Sequence, residues 1–392
     1  MEQVVISGIA RTAGGSYGGS LATKTAPELG GVVIREAVRR AGVEAAAVDE
    51  VLFGCGWQAG IGPNMARMSA MAGGLSVETP ATTINMRCGS SLKALTMACA
   101  MIRAEDNRLM IAGGAESTSN IPYLAPKMRW GARMGDAELV DDLTRDGFFC
   151  QLAGMPMSGT AELLTGEYGF GREEQDAYAL LSHQRAVKAI AEGRFKEEIV
   201  PVEVETRKEK LVFDTDEIPR GDIDLAKLAK LRPIVSRDGC ITAGNSSALC
   251  DGASAAVLSS RSRAKELGLQ PLALIRSYAT IGMEPLRMGL GPVAATRQAL
   301  EKAGLKLSDI DLIEMNEAFA VQYLAVEKEL GLDRDKVNLH GGAIALGHPI
   351  GGTAVKLLAT LLSALKAYDK TLGLVTLCIN GGHGMALVVE RL

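Results

Sequence analysis

Aromatic side chains are scarce in this chain of 392 residues: seven Phe, seven Tyr and two Trp, 4% in all. The packing they leave to others must be aliphatic. Basic residues hold no majority either. Forty-two Lys and Arg stand against 46 Asp and Glu, a formal charge of −4, so the basic footprint of a nucleic-acid binder is missing. A local basic patch for an anionic ligand remains compatible with that balance. No apolar run approaches the roughly 20 residues of a membrane helix. Met1-Glu2-Gln3-Val4-Val5 lacks the charged-then-apolar pattern of a secretory signal, and Glu390-Arg391-Leu392 is not a peroxisomal address. A cytoplasmic location is expected. The seven cysteines (55, 88, 99, 150, 240, 250 and 378) are odd in number and form no CxxC pair. That pattern predicts free thiols and no metal-ligand set. Also missing are the GxGxxG of a dinucleotide fold and the GxxxxGK[ST] of a P-loop.

What is present is ordinary globular material, 47% apolar and 22% charged, with a high count of 45 Gly. Disorder, collagen and coiled coil are excluded as the main architecture, and the length suits two or three domains of ~100–200 residues. A repeat organises it. Ile34-Arg-Glu-Ala-Val-Arg-Arg-Ala-Gly-Val43 precedes Asp49-Glu-Val-Leu-Phe53, and Thr296-Arg-Gln-Ala-Leu-Glu-Lys-Ala-Gly-Leu305 precedes Asp311-Leu-Ile-Glu-Met315. Arg35/Arg297, Ala37/Ala299, Ala41/Ala303, Gly42/Gly304 and Asp49/Asp311 coincide at a constant separation of 262. Each copy reads as helix, Gly stop, apolar strand, so the chain is read as a duplication of an α/β unit with helices covering sheets. The stretch from about 120 to 249 has no counterpart. It is read as an insertion built onto the first half, with an amphipathic helix from about Arg172 to Glu192 and a solvated charge strip over Glu203 to Lys210.

Four segments carry chemistry. In Thr83-Ile-Asn-Met-Arg-Cys-Gly-Ser-Ser-Leu92 an apolar strand ends near Asn85, and a tight turn delivers Cys88 to the start of a helix. The positive end of that helix favours thiolate, and its unpaired N–H groups can face an oxyanion; the plainer alternative is a Cys packed as a small hydrophobe. In Leu346-Gly-His-Pro-Ile-Gly-Gly352, His348 is expected on a rigid exposed loop, near the repeat position of Cys88. A Cys paired with a His is the usual activation of a thiol nucleophile. The strand Leu374-Val-Thr-Leu-Cys-Ile379 brings Cys378 to a Gly-rich loop as a possible acid or base, with His383 read as a loop residue. In Glu314-Met-Asn-Glu-Ala-Phe319 a strand meets a helix; Asn316 offers hydrogen bonds, directly or through water, and Glu317 is read as stabilising the helix start.

At these blocks the chain resembles the thiolase family over nearly its whole length: Asn85-Met-Arg-Cys-Gly-Ser-Ser91, Asn316-Glu-Ala-Phe319, Gly347-His-Pro349 and Cys378 to Gly384 stand in the family's order. The resemblance implies a five-layered α-β-α-β-α fold. Its first half would span 1–119 and 250–268, an inserted loop domain 120–249, and its second half 269–392. It implies an acetyl-CoA C-acetyltransferase that joins two acetyl-CoA or runs the reverse thiolysis. Cys88 would accept the acyl group, His348 would take its proton, and Cys378 would be the second acid/base. His348 with a water on Asn316, and the backbone N–H groups of Cys88 and Asn380, would form the oxyanion holes. Coenzyme A, as substrate with no covalently bound cofactor and no metal, would lie by Arg220, Lys227, Ala243 and Ser247, and Met157, Ala318 and Phe319 would line the acyl pocket. A homodimer, or a tetramer clasped near Met128 to Asp146, would follow. Three positions depart from the family pattern. Asn380 replaces a Gly, where Asn is the next-best residue for positive φ but its side chain could crowd the pocket; His383 replaces an uncharged residue, and Pro156 a His. The alternatives are a degradative 3-ketoacyl-CoA thiolase for longer or functionalised chains, a non-catalytic acyl-CoA binder or scaffold, and a cysteine hydrolase.

Overall fold

The chain is described by a computed structural model covering residues 2–205 and 210–392. The nine principal strands are β1 Val4–Arg11, β2 Glu50–Gly54, β3 Ala81–Ile84, β4 Leu109–Glu116, β5 Cys250–Ser260, β6 Ala273–Gly282, β7 Leu312–Met315, β8 Leu372–Ile379 and β9 His383–Arg391. They follow the order β7-β8-β9-β6-β1-β5-β4-β2-β3. The central β1–β6 junction is short and antiparallel, pairing Val5 with Leu274 and Ile6 with Ala273. On each side the topology repeats. In the first half β2 runs parallel to β3 and β4, and β4 antiparallel to β5. In the second, β7 runs parallel to β8, and β8 antiparallel to β9.

The duplication extends to single atoms. Helices α1 (Ala26–Ala41) and α6 (Gly291–Ala303) end on Gly42 and Gly304, at φ 71° and 68°, a left-handed conformation that glycine adopts without Cβ strain. Asp49 accepts hydrogen bonds from the backbone N–H groups of Arg108 and Leu109 at 2.7 and 2.8 Å. Its repeat partner Asp311 accepts from Thr371 and Leu372 at 3.0 and 2.8 Å. Both carboxylates tether the start of the parallel strand paired beside their own.

Alternating side chains sort the strands into layers. Val51 and Phe53 face α1 and the short helix α2 (Met65–Ala72), whereas Leu52 faces the middle of the molecule. There α3 (Ser90–Arg103) and α8 (Thr353–Ala367) supply Leu92, Leu95, Leu358, Leu361 and Leu365 to one core shared by strands of both halves. Outside the second half, Ala299, Leu300 and Tyr323 from α6 and α7 (Ala320–Leu330) pack on Ile313, Leu374 and Val388. The layers are therefore helix, sheet, helix, sheet, helix. Near-complete burial of α8 explains why it reads apolar on nearly every side; α3 keeps Met97 and Ala100 at the surface.

The segment between β4 and β5 contains α4 (Met157–Tyr168), α5 (Arg172–Ala191) and small hairpins. It leaves the first half in sequence, yet its two long helices lie mainly on the second; a third, of five residues, spans Leu225–Ala229. Leu164 joins Val321 and Phe319, and Tyr178 stacks on Tyr323 with ring centroids 3.9 Å apart. The expectation of an insertion built onto the first half is corrected in that respect. A buried ion cluster pins the segment to the sheet: Arg11 on β1 meets Glu198 at 2.6 Å and Asp216 at 2.8 Å. Of the charge strip, Glu203 and Glu205 point outward in a hairpin whose Val202 and Val204 point inward; 206–209 lie outside the described residues.

Candidate active site

Cys88 sits in a one-turn elbow, Arg87–Gly89, between β3 and α3. Side chains brace the elbow. Ser90 Oγ donates to the Arg87 carbonyl at 2.7 Å and accepts from the Met86 N–H at 2.9 Å. Asn85 Oδ1 accepts from the Arg87 N–H at 3.1 Å. Arg87 takes φ 50°, and its guanidinium lies 4.1 Å from the Trp57 ring centroid and donates to the Gly56 carbonyl. At Gly89 a Cβ would stand 2.4 Å from Ile379 Cδ1. Only glycine lets the elbow approach the strand that carries Cys378 so closely.

His348 lies in the turn between a short helix, Ala343–Leu346, and α8. It is 7% exposed; the expectation of an exposed loop is corrected, because the two halves close over it. Its Nδ1 stands 2.6 Å from Thr353 Oγ1. The Thr353 hydroxyl spends its one hydrogen on the Pro349 carbonyl at 2.9 Å. It must therefore accept from Nδ1–H, which leaves Nε2 unprotonated and an acceptor. Asn316 Nδ2 stands 3.4 Å from that Nε2, and Asn316 Oδ1 is buried without a partner. Burial first, then Lys356 and Arg87, hold the imidazole down to about 3, so it is neutral at ordinary pH.

Cys378, at the end of β8, is 1% exposed. Burial and then the neighbouring Cys88 push its thiol far up. Burial also raises the Cys88 thiol, against which Arg87 and the backbone N–H groups of Asn380 and of Cys88 itself act. Like charges in one site disfavour each other, so the two thiols do not ionise together.

One cavity of about 50 Å³ collects most of the residues singled out in the sequence: Cys88, His348, Cys378, Asn380, Met157, Ser247, Ala318 and Phe319 all line it. Asn316 joins through His348. Met157 opens α4, and Pro156 is its exposed N-cap residue. The Ser247 N–H donates to the Ala318 carbonyl at 2.9 Å, tying two lining segments together. Arg220 and Ala243 do not line the cavity; both are exposed, and the Arg220 N–H donates to His183 Nδ1 at 3.2 Å. Lys227 is paired with Asp222 at 2.8 Å.

Asn380 does not take the expected positive φ. Gly381 and Gly382 do, at 90° and 83°. The Asn380 side chain is held aside by donating to the Gly147 carbonyl at 2.9 Å. Glu317 does not start a helix, since α7 begins at Ala320. It is buried and accepts from Tyr178, Ser182, Asn338 and the Ile344 N–H, at 2.7–3.1 Å. It thereby binds α5 to the stretch leading into His348. Sequence reasoning passed over Thr353, whose signal was its place at the first residue of a helix five positions after His348. It also passed over Phe148, Met288 and Ile350, which line the cavity as plain apolar residues.

Comparison with known proteins covers nearly the whole chain. Residues 4–262 match the model of the thiolase N-terminal domain, and 269–391 that of the C-terminal domain. The chain belongs to the thiolase family. An acetyl-CoA acetyltransferase of Pseudomonas aeruginosa is 51% identical over 392 residues, and one of Escherichia coli 50% identical over 393, each covering 100% of both chains. Among solved structures, the Bacillus anthracis acetyl-CoA acetyltransferase superposes with a TM-score of 0.98 at 44% identity, covering 100% of this chain and 99% of its own. Human mitochondrial 3-ketoacyl-CoA thiolase gives 0.97 at 39% identity, with the same coverage. The thiolase fold expected from the sequence is thus the fold found.

Proposed function

We propose that this chain is an acetyl-CoA C-acetyltransferase, condensing two acetyl-CoA to acetoacetyl-CoA and CoA, or running the reverse thiolysis. The observation that carries the reading is the convergence of Cys88, His348 and Cys378 on one small cavity. Full-length relatives bearing that activity in their names support it.

In the first half-reaction His348 Nε2 takes the Cys88 proton, and the thiolate attacks the acetyl thioester. The proton then passes to the departing CoA thiolate, leaving acetyl-Cys88. A neutral thioester no longer opposes ionisation next door, so Cys378 can pass its own proton to the His348 base just freed, and the resulting thiolate accepts a proton from the α-carbon of a second acetyl-CoA. The carbanion attacks the acetyl carbonyl, and Cys88 leaves as thiolate to be reprotonated. Developing oxyanions face donors: His348, once Nε2 carries a proton, with a water held by Asn316 in one case, and the N–H groups of Cys88 and Asn380 in the other. The orphaned Asn316 Oδ1 supports such a water.

Met157, Ser247, Ala318 and Phe319 would contact the acyl-pantetheine end, with Arg220 and Ala243 out toward the nucleotide end of CoA. We assign 1–119 and 250–268 to the first half, 120–249 to the inserted loop domain and 269–392 to the second half. The inserted domain would serve both CoA binding and self-association, because Met128, Trp130, Met134 and Leu139 are exposed at 54%, 89%, 96% and 70%, an apolar cluster unusual for a monomer. A homo-oligomer, dimer or tetramer, in the cytoplasm is the corresponding reading. No helix among the described residues is long and apolar enough to cross a membrane.

The deciding experiment is peptide mass spectrometry after rapid quenching with acetyl-CoA alone. Acetyl on Cys88 is the expected result. Tight CoA binding with unmodified Cys88 would favour a non-catalytic binder, and release of free acetate a hydrolase.

A further inference from the structure

Helix α8 presents two polar residues to the His348 loop from one face, because positions three apart align on a helix. The first, Thr353, fixes the imidazole tautomer. The second is Lys356. It is only 6% exposed, and its Nζ donates to the carbonyls of Leu346 and Gly347 at 2.6 and 2.9 Å. Those are the two peptide groups immediately ahead of His348. A lysine inside a hydrophobic helix layer is costly to desolvate, and packing alone would be served by Leu. The loop it grips has no slack. Gly347 holds φ 78°, and a Cβ there would stand 2.5 Å from Ile218 Cδ1 and 2.7 Å from Cys250.

We infer that Lys356 is a positioning residue for His348: it anchors the Leu346 and Gly347 carbonyls so that Nε2 faces the cavity, and its ammonium opposes a lasting second cation on the imidazole. This rests on His348 being the proton acceptor for Cys88. The titratable groups around it are spread over several elements, and burial keeps Cys250 and Glu314 on the neutral side. Arg11 comes from β1, Glu198 and Asp216 from the inserted segment, Cys250 from β5, and Glu314 from β7. Arg87 is the other cation acting on His348. Asp216 and Glu198 counter the Lys356 charge, whereas Arg11 opposes it. The ammonium thus stands at the end of a buried ionic array whose outer members secure the inserted segment, and its hydrogen bonds deliver that rigidity to the base.

The test compares Lys356→Met, Lys356→Gln and Lys356→Arg with wild type in the full chain. For Lys356→Met, kcat is expected to fall about tenfold or more with KM within about twofold. The acid limb of the kcat profile should move up by roughly one pH unit, because a neighbouring cation has gone. Lys356→Arg should restore both. Lys356→Gln keeps donors without charge, so it should recover rate while keeping the displaced limb; if Lys356→Met does not fold, this variant carries the test. An unchanged acid limb and unchanged kcat in Lys356→Met or Lys356→Gln, with only a lower melting temperature, would overturn the inference. His348→Asn is the control. If it still acetylates Cys88 at the wild-type rate, the role of His348 fails, separately from that of Lys356.

Discussion

Replacing Thr353 by Val changes one hydroxyl for a methyl of nearly the same shape. In the present structure that hydroxyl accepts from His348 Nδ1 at 2.6 Å while donating to Pro349 O. The valine leaves a buried Nδ1–H with no acceptor, a cost of about 1–3 kcal/mol. The imidazole can escape the cost by moving its proton to Nε2, where the Asn316 amide, which presents Nδ2 at 3.4 Å, would have to turn its unpartnered oxygen to accept it. Either way the tautomer able to take the Cys88 proton becomes the unfavourable one. At about 1.4 kcal/mol per decade, acetylation of Cys88 should slow roughly 5- to 100-fold. The assay is the first-order rate of acetyl-Cys88 formation, followed by quenching and peptide mass spectrometry. Thr353→Ser should stay close to wild type, because it keeps the hydroxyl. Acetylation by Thr353→Val within twofold of wild type would refute the tautomer argument, and with it the assignment of Nε2 as the base.

Three further outcomes follow from the same geometry. Cys378→Ala should acetylate Cys88 normally yet lose condensation by about 100-fold or more, whereas Cys88→Ser should form no acetyl-enzyme; the two variants are separated by the same peptide assay. Arg11→Met should destabilise the fold by about 3–5 kcal/mol in urea unfolding, because it strands the buried carboxylates Glu198 and Asp216. His340 is held down to about 4 by burial and then by Arg194, so between its unfolded pKa and that value the unfolded chain binds a proton the folded one refuses. Stability from this group is full near pH 4 only as a penalty and vanishes as a penalty above about 6.5, so wild type loses stability as pH falls through that window; His340→Phe should lose about 2 kcal/mol less between pH 7 and pH 4.5.

The large divisions of the molecule were legible because they rest on local signals. The Gly42 and Gly304 stops, the apolar strands after them and the Cys88 elbow all fell where periodicity and turn chemistry put them. Helix α5 was expected from about Arg172 to Glu192 and runs Arg172–Ala191. What escaped were the long-range pairings. Nothing near Glu317 in sequence shows that its partners lie at 178, 182, 338 and 344. Nothing near His348 shows that two halves bury it. Asn380 was misjudged for a related reason: the positive φ of the turn belongs to the two glycines after it, and the remote Gly147 carbonyl decides where its side chain goes.

The duplication also explains why the cavity holds different groups in equivalent places. In each half a middle helix starts at a loop beside the end of a strand. In the first half that loop is the elbow with Cys88, and in the second it is His348 to Gly352. The strand β4 ends on Glu116, and its counterpart β8 on Cys378 and Ile379. The first-half strand end did not become a catalytic group. Glu116 accepts the N–H groups of Gly56 and Gly351 at 2.8 and 2.9 Å, so one buried carboxylate ties the first half to the loop of the second. The second-half strand end, relieved of that duty, carries the thiol. Two copies of one scaffold thus give two helix-start loops facing each other, with Cys88, the proposed nucleophile, on one and His348, the proposed base, on the other. They also give two strand ends, one fastening the loops together and one carrying Cys378. A lone half would hold Cys88 without His348 and without Cys378, so the proposed acyl transfer needs the paired halves.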